Sequence, residues 1–360
     1  MKILIAANND VGLYKFRREL IEELLKQHEV YISLPYGDFV PELQKMGCIY
    51  EQCEFDRHGT NPVQELKQIS YYKKIIKKIK PAIVLTYTIK PNVYAGMACA
   101  SLNVPYVANI TGLGTAVENG GIMQKVTLTL YKLGLRKAQK VFFQNSENRD
   151  FMLSKGVVKG EYDLLPGSGV NLKQYNALDY PQNDTVDFIF VARVMKEKGI
   201  DQYLDAARYI RKKYPDTRFH ICGACEQDYS ELLKKMQDDG TVIYHGLVKD
   251  MVKIHEFSCC TVHPTYYPEG LSNVLLESSA CARPIITTDR SGCREVIDDG
   301  VNGFIVKQKD SADLIEKIEK FLALSWEERR NMGLAGREKV EREFDRQIVI
   351  GKYLKEIERT

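Results

Sequence analysis

The chain of 360 residues lacks the features that mark several protein classes. It has no long apolar run. The opening Met1-Lys2-Ile3-Leu4-Ile5-Ala6-Ala7 turns polar at Asn8-Asn9-Asp10, too short for a signal peptide or a membrane span, so the expectation is a protein that stays in the cytosol. There is no low-complexity tract, and 44% hydrophobic with 28% charged residues excludes disordered and fibrous classes. The nine cysteines, including the adjacent Cys259-Cys260, form no disulfide framework and suit a reducing compartment. Cys222-Gly-Ala-Cys225 has neither a second pair nor companion histidines at zinc spacing, so packing at a strand end is expected there. Ala7-Asn-Asn-Asp-Val-Gly12 lacks G-x-G-x-x-G and Gly112-Leu-Gly114 lacks the third glycine, which speaks against a dinucleotide-dependent oxidoreductase.

What is present is enough chain for two cores, each of roughly 170 to 190 residues. Net charge is only +3, but it is unevenly spread. Residues 1–170 hold 22 Lys+Arg against 16 Asp+Glu and residues 171–360 hold 29 against 32, so the halves carry +6 and −3. The basic excess concentrates in Tyr71-Tyr72-Lys73-Lys74-Ile75-Ile76-Lys77-Lys78-Ile79-Lys80, where isoleucines recur at helical spacing beneath a lysine face. That face reads either as a solvated helix surface or as a contact for anionic lipid headgroups.

Short apolar runs alternate with helical-period segments, the pattern of βα units and a parallel sheet. Strands are predicted near Lys2–Ala7, Val30–Leu34, Ala82–Thr86, Tyr106–Asn109 and Val141–Gln144, with helices such as Leu13–Gln27 and Lys90–Leu102 between them. A polar segment from Pro166 to Asp184 reads as a linker before a fresh strand at Phe188–Val191. Further strands follow near Arg218–Cys222, Val242–Tyr244, Cys260–His263, Ile285–Thr287 and Phe304–Val306, and helices at about Ser311–Leu322, Trp326–Arg342 and Asp345–Glu358 close the chain. The fold class is therefore α/β with two successive domains, each built on a parallel sheet, and in open sheets of this kind ligands are expected beyond the carboxyl ends of the strands.

Two such loops carry the candidate chemistry. Ala192-Arg193-Val194-Met195-Lys196-Glu197-Lys198-Gly199 presents Arg193 and Lys198 before a helix starting near Gly199, an arrangement suited to a diphosphate, though a solvated basic loop fits the same residues. After Cys260–His263 comes Pro264-Thr-Tyr-Tyr-Pro-Glu269-Gly270-Leu271-Ser272-Asn273-Val274-Leu275-Leu276-Glu277. Free amides at Gly270, Leu271 and Ser272 are expected to take phosphate oxygens. Eight residues at ~1.5 Å rise would set Glu269 and Glu277 ~12 Å apart along a helix, the reach from a sugar to a ribose across a diphosphate.

The combination of Arg193 with Lys198-Gly199, His245-Gly246-Leu247, His263-Pro264-Thr265, Glu269-Gly270 through Glu277, and Gly300-Val-Asn-Gly303 resembles the family 4 retaining glycosyltransferases of GT-B fold, over essentially the whole chain. The resemblance implies two Rossmann-like domains facing a central cleft: 1–167 for the acceptor, 168–344 for a nucleotide sugar, and a helix in 345–360 returning to the first domain. It further implies that Arg193 and Lys198 neutralise the donor diphosphate, Glu277 holds the ribose, and Glu269 contacts the sugar, making Glu269, Arg193 and Lys198 the catalytic set. Gly12, Gly246, Val248, Gly270, Leu271, Ser272 and Asn273 would complete the donor site. Fixed cations stabilise a leaving diphosphate without a metal, so neither metal nor cofactor is expected.

The first half departs from the family pattern. It keeps Gly12 alone of a paired glycine, and Thr111 stands where many members carry a histidine. In its place Asn109-Ile110-Thr111-Gly112-Leu113-Gly114 and Thr86-Tyr87-Thr88-Ile89-Lys90-Pro91-Asn92-Val93-Tyr94 look like the subgroup that extends undecaprenyl-diphosphate-linked sugars, including N-acetylgalactosaminyl- and galactosyltransferases. Lys90, Asn109, Thr111 and Gly112 would then receive the acceptor, a structural lysine and an ordinary tight turn being the plainer reading. A lipid-linked acceptor would give a purpose to the basic helix and to Met123–Ala138, whose apolar face runs into Arg136 and Lys137, although a buried core helix also explains that stripe. The implied partners are a UDP-sugar, a polyprenyl-diphosphate-linked glycan and an anionic membrane surface at the inner face of the plasma membrane, with no nucleic acid. The alternatives are a soluble acceptor, a UDP-sugar epimerase of the same fold, or a non-catalytic nucleotide-binding protein.

Overall fold

Runs such as Ile3-Leu4-Ile5 and Ile83-Val84-Leu85 are short and aliphatic, and each becomes a strand buried on both faces, as parallel sheets require. The computed structural model describes residues 1–53, 62–114, 117 and 120–360, and the side chains of 62–66 are outside that description. Two units result: Met1–Ser168 with Gln347–Thr360, and Gly169–Arg346.

In the first unit β1 (Lys2–Ala6), β2 (Glu29–Leu34), β3 (Ile49–Gln52), β4 (Ile83–Tyr87), β5 (Tyr106–Ile110), β6 (Lys140–Phe143) and β7 (Tyr162–Leu164) form a parallel sheet in the order β3-β2-β1-β4-β5-β6-β7. In the second, β8 (Val186–Val191), β9 (Thr217–Cys222), β10 (Ile243–Gly246), β11 (Cys260–His263), β12 (Ile285–Thr288) and β13 (Gly303–Val306) repeat the order β10-β9-β8-β11-β12-β13. Each sheet is wound outward from its middle, so the direction of winding reverses between β1 and β4 and again between β8 and β11. The edge strands β3 and β7 have no counterpart in the sequence reading, because they are four and three residues long and only partly buried.

Both faces of the first sheet are covered. The helices Pro62–Ile79, Ile89–Leu102 and Gly121–Leu135 bury Ile75, Ile76, Val93, Tyr131 and Leu135 against one face. The helix Asp10–Leu25 covers the other, its first turn capped by Asn9, whose Oδ1 accepts the Gly12 N–H at 2.6 Å. Beside it lies the C-terminal helix Arg346–Glu358, through Val349, Ile350, Tyr353 and Ile357. Lys352 ties this helix to Asp163 at 2.8 Å, and the Asn109 side chain donates to the Tyr353 hydroxyl at 2.5 Å.

The polar segment after Leu165 is not a free linker. Val170 is buried and bridged to Asp345, Tyr180 is buried, and the buried Arg283 guanidinium donates to the carbonyls of Leu178 and Asp179. A guanidinium 105 positions along the chain satisfies backbone that the local sequence leaves polar.

The helices Ile89–Leu102 and Gly121–Leu135 cross at two glycines. A Cβ on Gly96 would stand 2.2 Å from the Gly134 carbonyl oxygen, and one on Gly134 would stand 2.6 Å from the Val93 Cα. Gly134→Ala is expected to cost the first unit about 1–3 kcal/mol, read as a lowered urea midpoint. Gly351→Ala, at a helical position with nothing within 4 Å, should instead raise it by up to about 1 kcal/mol. Equal midpoints for the two variants would show that the crossing is not close-packed.

Candidate functional site

In the second unit the loops following β8 and β11 leave the sheet side by side at the point where the winding reverses, which is where an open α/β sheet leaves a crevice. Backbone contacts knit them together. Gly199 sits at φ 79° between the 3-10 turn Lys196–Lys198 and the helix Ile200–Lys213, and a Cβ there would lie 2.1 Å from the Pro264 carbonyl oxygen. The Glu197 carbonyl accepts the Tyr266 N–H at 2.9 Å and the Thr265 hydroxyl at 3.3 Å. Across this junction the Lys198 ammonium donates to Glu269 Oε1, with only 10% and 19% of the two side chains exposed. The Tyr267 ring lies 4.7 Å from the Lys198 ammonium and 5.4 Å from the Arg193 guanidinium. Arg193 is half-exposed and paired with Glu226 at 2.6 Å. Lys198, Glu269 and Arg193 thus come together around Tyr267, a residue that sequence reasoning passed over although it stands in the same loop.

The helix that follows is Asn273–Ala280, so Glu269 lies in the loop before it and the ~12 Å helical spacing to Glu277 does not hold. The chain is still extended at Ser272, the N-cap. Nor is the Ser272 amide free for phosphate, because it donates to the Gly292 carbonyl at 2.7 Å. The Ser272 hydroxyl does not cap the helix either; it stands 3.3 Å from His263 Nε2. Leu271 is a core residue, and the Asn273 side-chain oxygen is buried without a partner among the described residues. Gly292, at φ 90°, backs this turn so closely that a Cβ would lie 2.8 Å from Glu269 Cβ. Glu277, one turn into the helix, hydrogen-bonds Tyr175, whose hydroxyl pKa is raised by burial and then by that carboxylate. The helix start therefore offers an N-terminus without a side-chain cap, next to a lysine and two carboxylates.

Gly246 ends β10 at φ 64°, and Val248 packs against Ile189, Cys222 and Ile254. His245 is held by a buried chain: its Nε2 lies 2.9 Å from His220 Nδ1, and His220 Nε2 lies 2.8 Å from Asp187 Oδ1. Asp187 is fully buried and also pairs with Arg218 at 2.8 Å. Cys222 and Cys225 are both free, and the glycine between them allows an approach in which a Cβ at Gly223 would meet the Ala192 carbonyl at 1.7 Å.

In the first unit Gly12, Lys90, Thr111 and Gly112 follow the neighbouring strands β1, β4 and β5. The Gly12 amide is spent on the Asn9 cap. Lys90 lies in the first turn of the helix Ile89–Leu102, behind Thr88 at φ 71°. Thr111 and Gly112 are half-buried in the turn after β5. Asn109 lies deeper than these: it is fully buried, its carbonyl accepts from Asn92, and its amide holds Tyr353, so it fastens the C-terminal helix. Strand-end position alone could not tell inward from outward.

Two doubly wound parallel sheets in tandem, with the C-terminal helix returning to the first, are the architecture of the GT-B glycosyltransferases. The chain belongs to the glycosyltransferase family described as "Glycosyl transferases group 1", whose model matches residues 180–339, while a second model, "Glycosyl transferase 4-like", matches residues 2–145. It is 26% identical to the N,N'-diacetylbacillosaminyl-diphospho-undecaprenol alpha-1,3-N-acetylgalactosaminyltransferase of Campylobacter jejuni, over 99% of this chain and 98% of that protein. It is 31% identical to the capsular polysaccharide biosynthesis glycosyltransferase CapM of Staphylococcus aureus, over 79% of this chain and 78% of CapM. Among solved structures, Anabaena HepE in complex with UDP and glucose superposes over the whole of both chains with a TM-score of 0.80 at 17% identity.

Two measurements test this geometry. Glu269→Gln leaves the largely buried Lys198 ammonium without its counter-ion and should destabilise the second unit by about 3–5 kcal/mol in urea unfolding. Glu226→Gln, at a half-exposed pair, should cost less than about 1 kcal/mol, and a similar loss from both would place Glu269 in solvent. Burial first, and then the neighbouring charge of Arg283 for His255 and of Lys198 for His263, pushes both pKa values down to about 3. The unfolded chain takes up these protons near pH 6.5, so stability is complete above that value and falls as pH drops towards about 3. Each histidine contributes a slope of up to about 1.4 kcal/mol per pH unit, and His263→Gln should flatten the dependence of the urea midpoint on pH.

Proposed function

We propose that this glycosyltransferase is a retaining, metal-independent enzyme that moves a hexose or N-acetylhexosamine such as GalNAc, Gal or GlcNAc from a UDP-sugar to a polyprenyl-diphosphate-linked sugar in bacterial surface polysaccharide or glycan assembly. The observation that carries the reading is the junction of Lys198, Glu269 and the side-chain-uncapped start of the helix Asn273–Ala280 at the reversal point of the second sheet. The full-length relative from C. jejuni is named for an undecaprenol-linked acceptor, and HepE was solved with UDP and glucose.

In this reading the second unit takes the donor. The diphosphate lies against the helix start, between Lys198 and Arg193. Glu269 turns from Lys198 to the sugar hydroxyls, and Glu277, steadied by Tyr175, accepts from the ribose. The bond from the anomeric carbon to the diphosphate oxygen breaks, the acceptor oxygen bonds to that carbon on the same face, and the acceptor proton passes to the departing diphosphate. Lys198 and the helix dipole stabilise the charge that develops there, which is the work a metal would otherwise do. The first unit receives the acceptor at Lys90, Thr111 and Gly112, and the enzyme acts peripherally at the inner face of the plasma membrane. Among the described residues no helix is long and apolar enough to cross a membrane.

UDP is expected to raise the melting temperature of the purified chain where GDP, ADP and NAD do not. Transfer from a UDP-sugar should survive EDTA. Lys198→Ala should lower kcat by about 10²–10³ at saturating donor, and Glu277→Gln should mainly raise donor KM. Near-normal turnover by a folded Lys198→Ala enzyme would overturn the diphosphate assignment.

A further inference from the structure

Asp187, His220 and His245 take no part in the donor contacts, yet they form a hydrogen-bonded line across the second sheet. Asp187 is on the inner strand β8, His220 on β9, and His245 on the edge strand β10. Asp187 is fully buried and His220 is 5% exposed, while His245 is at the surface. His220 Nε2 lies 2.8 Å from Asp187 Oδ1 and His220 Nδ1 lies 2.9 Å from His245 Nε2, with the two imidazole planes 13° apart. Phe257, from the helix Met251–Phe257, packs on the His220 ring at 4.9 Å.

The protons on this line are fixed from its buried end. Burial would raise the Asp187 pKa, but the bonds from His220 and Arg218 outweigh it and hold the carboxyl below its ordinary value, so Asp187 only accepts. Neutral His220 then carries its proton on Nε2. Its bare Nδ1 accepts, so His245 carries a proton on Nε2 and donates it inward. Burial, and then His220, lower the pKa of His245, which keeps that ring neutral at neutral pH. One carboxylate thus sets the tautomers of both rings.

The line ends where β10 loses its regular pairing. The register shifts between Tyr244 and Gly246, so His245 sits in the irregularity, and Gly246 turns the chain at φ 64°. An edge strand is held from one side only, and this exit has two further ties: His245 to His220, and the Gly246 carbonyl, which accepts the Gly223 N–H at 2.7 Å. Gly223 in turn is pressed on the Ala192 carbonyl, directly before Arg193. The exit of β10 and the Arg193 loop therefore belong to one backbone network. Just beyond the exit Leu247 is 74% exposed, while Val248 packs inward against Ile254. An exposed apolar side chain on turned backbone, beside a loop that offers a cation to a diphosphate, suits a flat heterocycle with apolar faces and a polar edge. We propose that Asp187, His220 and His245 are positioning residues that hold residues 246–248 in place for the nucleobase of the donor. The inference rests on the reading of the second unit as the nucleotide-sugar site, and adds the groups that shape its base end.

The test is equilibrium binding of UDP and of inorganic diphosphate to the full chain by calorimetry, with His245→Ala and His245→Gln beside the wild type. Both variants are expected to fold, since His245 is at the surface. His245→Ala should weaken UDP by about three- to tenfold, the size of one hydrogen bond, and leave diphosphate unchanged. His245→Gln, whose amide nitrogen donates to His220 in place of Nε2, should restore wild-type affinity for UDP. Unchanged UDP affinity in His245→Ala, or equal losses of UDP and diphosphate, would overturn the proposal. So would a His245→Gln variant as weak as His245→Ala. A wild type that binds neither ligand would remove the donor reading and the proposal with it, a result distinct from failure of the line alone.

Discussion

A parallel sheet wound outward from its middle leaves one notch at its carboxyl edge, because the crossovers depart in opposite directions and no helix covers the gap. In the second unit the meeting of Lys198, Glu269 and Arg193 follows from how that notch is filled. The β8 and β11 loops approach until only glycine fits at position 199 against the Pro264 carbonyl, and the approach brings the Lys198 ammonium onto Glu269. A largely buried ion pair is costly to form, and it holds here because both groups sit on backbone already fixed by the Glu197 carbonyl and by Gly292. The pair keeps a cation and an acceptor carboxylate dehydrated and ready beside a helix start with no side-chain cap.

The two units use the same topology for different ends. In the second, polar groups near the notch remain accessible, as with Arg193, or lack a partner among the described residues, as with the Asn273 side-chain oxygen. In the first, much of the strand-end polarity turns inward. Thr86, Asn92, Asn109 and Tyr353 hydrogen-bond one another beneath the carboxyl ends of β4 and β5, and this network fastens the C-terminal helix to the sheet. What is left outside is a turn around Thr111 and Gly112 and a helix start carrying Lys90. Against this stands the charge of the same unit, whose basic layer is on the sheet face away from the C-terminal helix.

Much of the fold was legible because it rests on local rules. Period-2 and period-3.6 patterns separate strands from helices, and a buried parallel strand needs an unbroken apolar run. Where that signal fades, at the short edge strands Ile49–Gln52 and Tyr162–Leu164, the reading stopped with it. The candidate site was legible as a set of residues and less so as a geometry. Glu269 and Glu277 were found, but the helix joining them begins only at Asn273, since Ser272 is still extended and its amide is held by Gly292. Asn109 was grouped with ligand-facing residues because direction across a strand end depends on which helix lies beneath it.

What the sequence determined by itself is what depends on neighbours along the chain: the α/β alternation, two successive α/β domains, loops carrying Arg193, Lys198 and Glu269, and a basic first half. What only the tertiary structure decided depends on partners far along the chain. Arg283 turns an apparent linker into part of the second unit, Gly292 takes the Ser272 amide, and Tyr353 takes Asn109. The same holds for the helix Gly121–Leu135, whose sequence carries two apolar faces separated by polar residues such as Lys125 and Lys132. Only the position of its neighbour, crossing at Gly96 and Gly134, settles that Tyr131 is core and Ile122 is surface. Periodicity records that a helix has an apolar face; packing decides which of two such faces is covered.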